Sequence, residues 1–142
     1  MLKIPNAIIE KVPGAIWASA IKGADISFQN AQSVSYILTS GSGTATNVTC
    51  KVMAKKGSDG TPAAVDFLCG EVGGAMTSVA GASGKSLSIG GASSQKAYIV
   101  TITADMLAGT GYDTVYITTT AAASSTVPGA IVAITGQNRY SD

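Results

Sequence analysis

Alternation of apolar and polar residues with a period of two runs through most of the chain and restricts its fold more than any other feature. It occurs in seven segments: ADISFQ (24–29), SVSYILTS (33–40), TNVTCKVM (46–53), AAVDFLC (63–69), KAYIVTIT (96–103), YDTVYITT (112–119) and the nearly continuous apolar run GAIVAITG (129–136). Successive side chains of a β-strand point to opposite faces, so each segment predicts a strand with one core-facing side. Loops rich in Gly, Ser and Pro separate the segments. This spacing predicts an all-β fold, a β-sandwich or barrel of about eight strands.

One short helical turn interrupts the strand pattern. In TADMLAGTG (103–111), Thr103 can cap the turn, Asp105 lies in its first turn and Gly109 can end it. The segment is too short for a packed helix, so we expect a connection between two sheets.

The first twenty residues differ from the rest. Pro5 and Pro13-Gly14 exclude a continuous helix. The segment is too apolar for a solvated tail, so we expect residues 1–20 to form an extended N-terminal arm and residues 21–142 to form a single β-sandwich domain. Two placements stay open, because the arm either covers its own sandwich or reaches onto a neighbouring chain. Its apolar residues include Leu2, Ile4, Ile8, Ile9 and Trp17.

Charged residues make up only 12% of the 142 residues, about half of the roughly 25% typical of soluble domains. Residues 26–50 and 114–138 contain none. Either the surface is simply neutral, or other protein chains cover much of it; we favour the second interpretation, because a free monomer usually carries more surface charge.

The composition also argues against several functions. The chain has no histidine, which removes the commonest general base and metal ligand. Its net charge of +1 does not favour nucleic-acid binding. No apolar run is long enough for a transmembrane helix, and the N-terminus does not have the pattern of a signal peptide. We therefore expect no enzyme activity, no cofactor, no metal, no nucleic-acid partner and no membrane association.

The two cysteines lie in the segment VTCKVMAKKGSDGTPAAVDFLC (48–69). If it is a hairpin that turns at Ser58–Asp59, Cys50 and Cys69 face each other across the strands, where a disulfide is geometrically possible. The simpler interpretation, which we favour, is two small buried apolar residues, although the pattern leaves open whether they are bonded. Lys55 and Lys56 are then a solvated hairpin tip.

The second half of the chain resembles cement (decoration) proteins of tailed-phage heads. The resemblance is carried by an aromatic-led strand into an A-D-x-L turn, a G-Y-D-x-V strand, an Ala/Ser-rich loop and an apolar last strand that ends in R-Y. Here these are Tyr98, Ala104-Asp105-Leu107, Gly111-Tyr112-Asp113-Val115, residues 121–125 and Arg139-Tyr140. The resemblance implies a jelly-roll or related antiparallel β-sandwich, a homo-oligomer with a dimer favoured over a trimer, and attachment across joints between major capsid subunits.

We therefore expect a structural virion protein that clamps major capsid subunits on the outer capsid surface after assembly in the host cytoplasm. The capsid-contact candidates are Leu2, Ile4, Ile8, Ile9 and Trp17, and the oligomer-contact candidates are Arg139 and Tyr140. Two simpler interpretations remain, in which Trp17 packs over the sandwich and the C-terminus frays. The alternative functions are a carbohydrate- or host-binding module on the virion surface and a tail or neck ring subunit.

Overall fold

The computed structural model describes residues 7–29, 31–91, 96–122 and 125–136. Within these ranges the chain forms twelve β-strands and two short 3₁₀ helices, Ile16–Ala18 and Ala104–Leu107. The strands are β1 (Ala7–Gly14), β2 (Ile21–Lys22), β3 (Ile26–Ser27), β4 (Ser33–Ser40), β5 (Gly43–Lys55), β6 (Ala63–Val65), β7 (Phe67–Glu71), β8 (Thr77–Val79), β9 (Lys85–Gly91), β10 (Lys96–Thr103), β11 (Thr114–Thr119) and β12 (Gly129–Gly136). Neither described helix is long and apolar enough to cross a membrane.

The strands form two antiparallel sheets around one core, which confirms the predicted all-β sandwich. Sheet 1 has the strand order β1-β12-β4-β10-β7-β8. Sheet 2 has the order β2-β11-β5-β6, with β3 also paired to β11 and β9 also paired to β5. Every pairing is antiparallel.

The core lies where the alternation in the sequence places it. In β4, the side chains of Val34, Tyr36 and Leu38 are completely buried, and the residues between them are only partly buried or exposed. The same alternation buries the inward residues of β5, β10, β11 and β12: Val48, Cys50, Val52, Ala54, Tyr98, Val100, Ile102, Val115, Ile117, Ile131 and Ala133. Burying these side chains from both sheets is the main driving force for the fold.

The number of strands exceeds the expected eight because several strands are very short. β2 and β8 have only two or three residues each, too few for a period of two to be recognised. The predicted strand at 63–69 is divided between two strands, β6 and β7. β9 is longer, but its apolar positions are only Leu87 and Ile89 within a Gly/Ser-rich segment. That segment, which we had assigned to loops, is a strand because it pairs with the first half of β5.

The predicted hairpin between Cys50 and Cys69 is wrong beyond its first few residues. β5 and β6 do pair, with Val52 opposite Val65. The chain then leaves sheet 2 at Asp66, and β7 joins sheet 1 beside β10. Asp66 stabilises this crossover, because its Oδ1 accepts a hydrogen bond of 2.7 Å from the Gly81 amide. The alternation of apolar and polar residues continues in the same phase across this crossover. The sequence pattern therefore does not reveal that the chain changes sheet.

The described part of the N-terminal segment belongs to the sandwich. β1 pairs with β12, and its register shifts at Glu10, between Ile9 and Lys11. The extra residue is a β-bulge. Its carboxylate accepts a hydrogen bond of 2.8 Å from the Ala24 amide, so Glu10 ties the edge of sheet 1 to the segment that follows β2.

Candidate functional site

The outer side of sheet 1 carries an apolar surface that we call the apolar face. It consists of the outward residues of the three long neighbouring strands β12, β4 and β10, and the register places Val132, Ile37 and Ile99 side by side in one row across them. All three side chains are partly exposed, between the fully buried inward residues of the same strands. The neighbouring outward rows are Ser35, Thr101 and Ile134 on one side and Thr39, Ala97 and Ala130 on the other.

The apolar face has few free polar groups. The hydroxyl groups of Ser35 and Thr101 hydrogen-bond to each other at 3.0 Å. β4 and β12 contain no charged residue, and the only charge of β10 is at its first residue, Lys96. The fold thus brings β4 and β12, one from each uncharged stretch of the sequence, side by side in sheet 1. Covering this face with another protein would require little desolvation of polar or charged groups.

The outer side of sheet 2 has the opposite character, and we call it the cationic face. It consists of Lys22, Lys51, Lys55 and Tyr116. The ammonium groups of Lys22 and Lys55 lie 4.9 Å and 5.6 Å from the centroid of the Tyr116 ring, within the range of cation–π attraction. The lysine side chains cover the ring, so Tyr116 is only 6% exposed although it faces outward.

Lys55 is not the solvated hairpin tip that we expected, since the residue is only 7% exposed. Its Nζ lies 2.8 Å from Asp25 Oδ2 and donates a hydrogen bond of 2.9 Å to the Ser58 carbonyl. Lys55 is the last residue of β5, and its ammonium group lies between the Asp25 carboxylate and the Ser58 carbonyl of the turn. Lys56 is exposed.

Trp17 lies in the core. It is 1% exposed, and its ring lies against Gly129 of β12, where any larger residue would collide with the indole. Of the two placements left open by the sequence, this position favours packing on its own sandwich. The indole N–H has no hydrogen-bond partner among the described residues.

The structure describes only some of the other predicted contact residues. The backbones of Ile8 and Ile9 are in β1, opposite Ala133 and Val132. Leu2, Ile4, Arg139 and Tyr140 lie outside the described residues, so their assignment as contact residues stays a prediction.

Both cysteines are free and buried. Cys50 pairs with Thr119 in sheet 2, whereas Cys69 pairs with Val100 in sheet 1, so the two residues belong to facing sheets. Burial raises the pKa of both thiols, although the nearby Lys85 ammonium partly opposes this for Cys69. These are the properties of small core residues, which is the interpretation we favoured.

The acidic side chains are dispersed, and several hold main-chain turns. The described residues include no group of three or more His, Cys, Asp or Glu side chains that could hold a metal ion. Three carboxylates accept hydrogen bonds from backbone amides: Glu10 from Ala24, Asp66 from Gly81 and Asp113 from Gly57. The hydrogen bonds from the Gly57 amide and the Thr114 hydroxyl lower the pKa of Asp113. These contacts assign the three acids a structural role.

The apolar face was not predicted, although the sequence carries a signal for it. In the triplets Tyr36-Ile37-Leu38 and Tyr98-Ile99-Val100, the residue between two core positions is itself apolar. Near-continuous apolar runs are typical of strands that are covered on both sides.

Comparisons with known proteins leave the function open. No protein-family model matches the chain, and no curated protein is significantly similar to it in sequence. Among solved structures, the chain is similar to the crystal structure of SPBc2 prophage-derived protein YomS, with a TM-score of 0.49 and 11% sequence identity over 96% of this chain and 98% of that chain. That neighbour is derived from a prophage, but a likeness at this level carries no argument about the function of this chain.

Proposed function

We propose that this chain is a structural virion protein that binds the outer surface of a tailed-phage capsid through its apolar face and stabilises the shell. The observation that carries the proposal is the row Val132–Ile37–Ile99 at the centre of sheet 1, on strands whose only charged residue is Lys96. An antiparallel sheet with one face in water normally alternates apolar and polar residues. In these strands the outward positions Ile37, Ile99, Val132 and Ile134 are apolar, so this part of the outer side is suited to contact with protein.

The size of the apolar face fits the centre of a specific interface. Three strands at a spacing of about 4.8 Å, each up to about 26 Å long, give the apolar face an area of at most roughly 370 Å². A standard interface buries about 800 Å² on each partner. The face can therefore form about half of one side of such an interface, and burying the exposed part of each Ile or Val side chain adds to the binding free energy.

The proposed partner, the major capsid protein, comes from the sequence resemblance to phage decoration proteins. A protein that binds only the assembled lattice stabilises that lattice by mass action. Several contacts per clamp, including one with a second copy of this chain, would add avidity through effective concentration. In this proposal the protein acts by binding alone, without catalysis or a cofactor.

The proposal can be tested by co-sedimentation of the purified protein with assembled capsids of the phage that encodes it. We expect the wild type to pellet with the capsids and the Ile37→Lys/Ile99→Lys variant to stay in the supernatant, because two buried ammonium groups would oppose docking. Asn47→Lys is the matched control, since Asn47 is exposed on the outer side of sheet 2. Circular dichroism must show that all variants are folded.

Two outcomes would overturn the proposal. Failure of the wild-type protein to bind capsids would contradict a role on the shell, and selective binding to a glycan array would then favour the carbohydrate-binding alternative. Equal binding by the wild type and the Ile37→Lys/Ile99→Lys variant would show that another surface makes the contact.

A further inference from the structure

The outer side of sheet 1 continues beyond the apolar face, over β7 and β8. The register places Gly70 opposite Ile99, so the central row of the apolar face extends onto β7. Gly70 has no side chain, and the Met76 Sδ lies 3.1 Å from the place where a Cβ of Gly70 would be. Met76, which immediately precedes β8, therefore occupies the outward position at Gly70 and continues the apolar row.

A second outward row ends on the same loop. Val72 follows the last residue of β7, and its N–H donates a hydrogen bond of 2.9 Å to the Ala97 carbonyl. This bond extends by one residue the pairing of Glu71 with Tyr98, so Val72 lies on the same side of the sheet as Ala97. The loop 72–76 between β7 and β8 thus places one large apolar side chain at the end of each of two neighbouring rows.

The two apolar side chains of this loop are open to solvent. Val72 and Met76 are the large hydrophobic side chains that the described structure leaves exposed, at 58% and 38%. Exposed apolar side chains that extend a contiguous apolar surface mark an interaction site. The Gly74 amide donates a hydrogen bond of 2.9 Å to the Glu71 carbonyl and closes a turn within the loop. A turn that is closed before docking reduces the entropy lost on binding.

Across the described strands β12, β4, β10, β7 and β8, no charged side chain points outward. Their charged residues are Glu71 and Lys96. Both lie in the inward phase, since Glu71 pairs with the buried Tyr98 and Lys96 pairs with the buried Ser40. The surface therefore fits an uncharged, apolar partner, because a charged partner group would lose its hydration here without gaining an opposite charge.

The added surface also increases the area available for contact. β7 and β8 have five and three residues, which add roughly 130 Å² of sheet to the apolar face. The uncharged surface then reaches roughly 500 Å², before the projecting side chains of Val72 and Met76 are included. A polar rim around an apolar centre of this size makes up one side of a standard interface.

We propose that the loop 72–76 belongs to the capsid-binding surface, and that Val72 and Met76 anchor the chain on an apolar, uncharged patch of the same shell protein that covers the apolar face. This inference rests on the proposed function. A few buried anchors carry most of the binding energy of an interface, and these two side chains have the largest apolar exposure to lose. A second copy of this chain is the competing occupant, and the test separates the two.

The test is a titration of assembled capsids with the full-length protein, followed by co-sedimentation. We expect Val72→Ser/Met76→Ser to raise the apparent Kd by about tenfold or more. The matched control is Met53→Ser/Ala64→Ser, because Met53 and Ala64 are neighbours on the outer side of sheet 2; this variant should bind like the wild type. Circular dichroism must show that both variants are folded.

Methionine oxidation gives a second readout in the unaltered protein. Peroxide converts an accessible methionine to its polar sulfoxide, which mass spectrometry detects. We expect capsid binding to slow the oxidation of Met76. Met53, which is partly exposed on the outer side of sheet 2, should be oxidised at the same rate in the free and the bound protein.

The outcomes distinguish this inference from the proposed function. If the wild type does not bind capsids, the proposed function fails and this inference fails with it. If Ile37→Lys/Ile99→Lys loses binding while Val72→Ser/Met76→Ser binds like the wild type, the proposed function stands and this inference is wrong. If Val72→Ser/Met76→Ser binds capsids normally but converts a free dimer to a monomer in light scattering, a second copy is the occupant, which also contradicts the inference.

Discussion

Trp17 offers a quantitative test of how the N-terminal segment is placed. The side chain is 1% exposed and packs against Gly129, so replacement by alanine leaves a large cavity between the first 3₁₀ helix and β12. Substitutions of this kind cost about 3–5 kcal/mol. The buried indole N–H of Trp17 has no partner among the described residues, so removing it also relieves a small penalty. We therefore expect a loss near the lower end, about 3 kcal/mol.

The free energy of unfolding should be measured by urea denaturation followed by far-UV circular dichroism. Trp17 is the only tryptophan in the chain, so fluorescence reports on it in the wild type but is lost in the variant. A loss of about 3 kcal/mol corresponds to a melting temperature lowered by roughly 10 °C for a domain of this size. Trp17→Phe, which keeps an aromatic ring and removes the unpaired N–H, should lose less than about 1.5 kcal/mol.

The reasoning fails if Trp17→Ala is destabilised by less than about 1 kcal/mol. It also fails if the native protein shows the fluorescence emission of a fully hydrated tryptophan. Either result would mean that Trp17 does not pack in its own core and is free to contact a neighbouring chain.

Three further predictions concern ionisable groups. Asp25→Asn should lower the free energy of unfolding by about 1–2 kcal/mol, because it leaves the nearly buried Lys55 ammonium without its carboxylate; urea denaturation at low and high salt measures this, and an unchanged stability would contradict it. Cys50 and Cys69 should react with a thiol reagent only after denaturation, since burial raises both pKa values; rapid labelling of the native protein would refute their placement. The pKa of Asp113 is lowered in the folded state, so its stabilising contribution is present above its unfolded pKa of about 3.9 and is lost as the pH falls through the lower folded value. The difference in unfolding free energy between wild type and Asp113→Asn should therefore shrink below about pH 4, and a difference that stays constant with pH would argue against this.

The sequence predicts most of the long strands because their side chains alternate strictly. The segment 33–40 is β4, and Val34, Tyr36 and Leu38 are buried as the alternation requires. Local pattern is sufficient here, because each strand has enough apolar residues to define its inner face.

Features that depend on contacts between distant segments could not be predicted in the same way. The chain changes sheet at Asp66 without any change of phase, and only the hydrogen bond to Gly81 marks the crossover. Lys55 is buried because Asp25 and Tyr116, both distant in sequence, lie beside it. The position of Trp17 follows from the absence of a side chain at Gly129, which no local pattern reveals.

The apolar face could be predicted only in part from the sequence. Ile37, Ile99, Val132 and Ile134 are visible in the sequence as apolar residues in the outward phase of a strand. That these residues lie side by side follows only from the register of β12, β4 and β10. With that register, the uncharged strands β4 and β12 form one continuous uncharged surface.

Hydroxyl-radical footprinting of the protein, free and bound to capsids, tests most directly whether the apolar face is the contact surface. The account predicts that Ile37, Ile99 and Val132 lose reactivity on binding, while residues exposed on the outer side of sheet 2, such as Asn47, keep theirs. Protection of the outer side of sheet 2, with the reactivity of the apolar face unchanged, would contradict it.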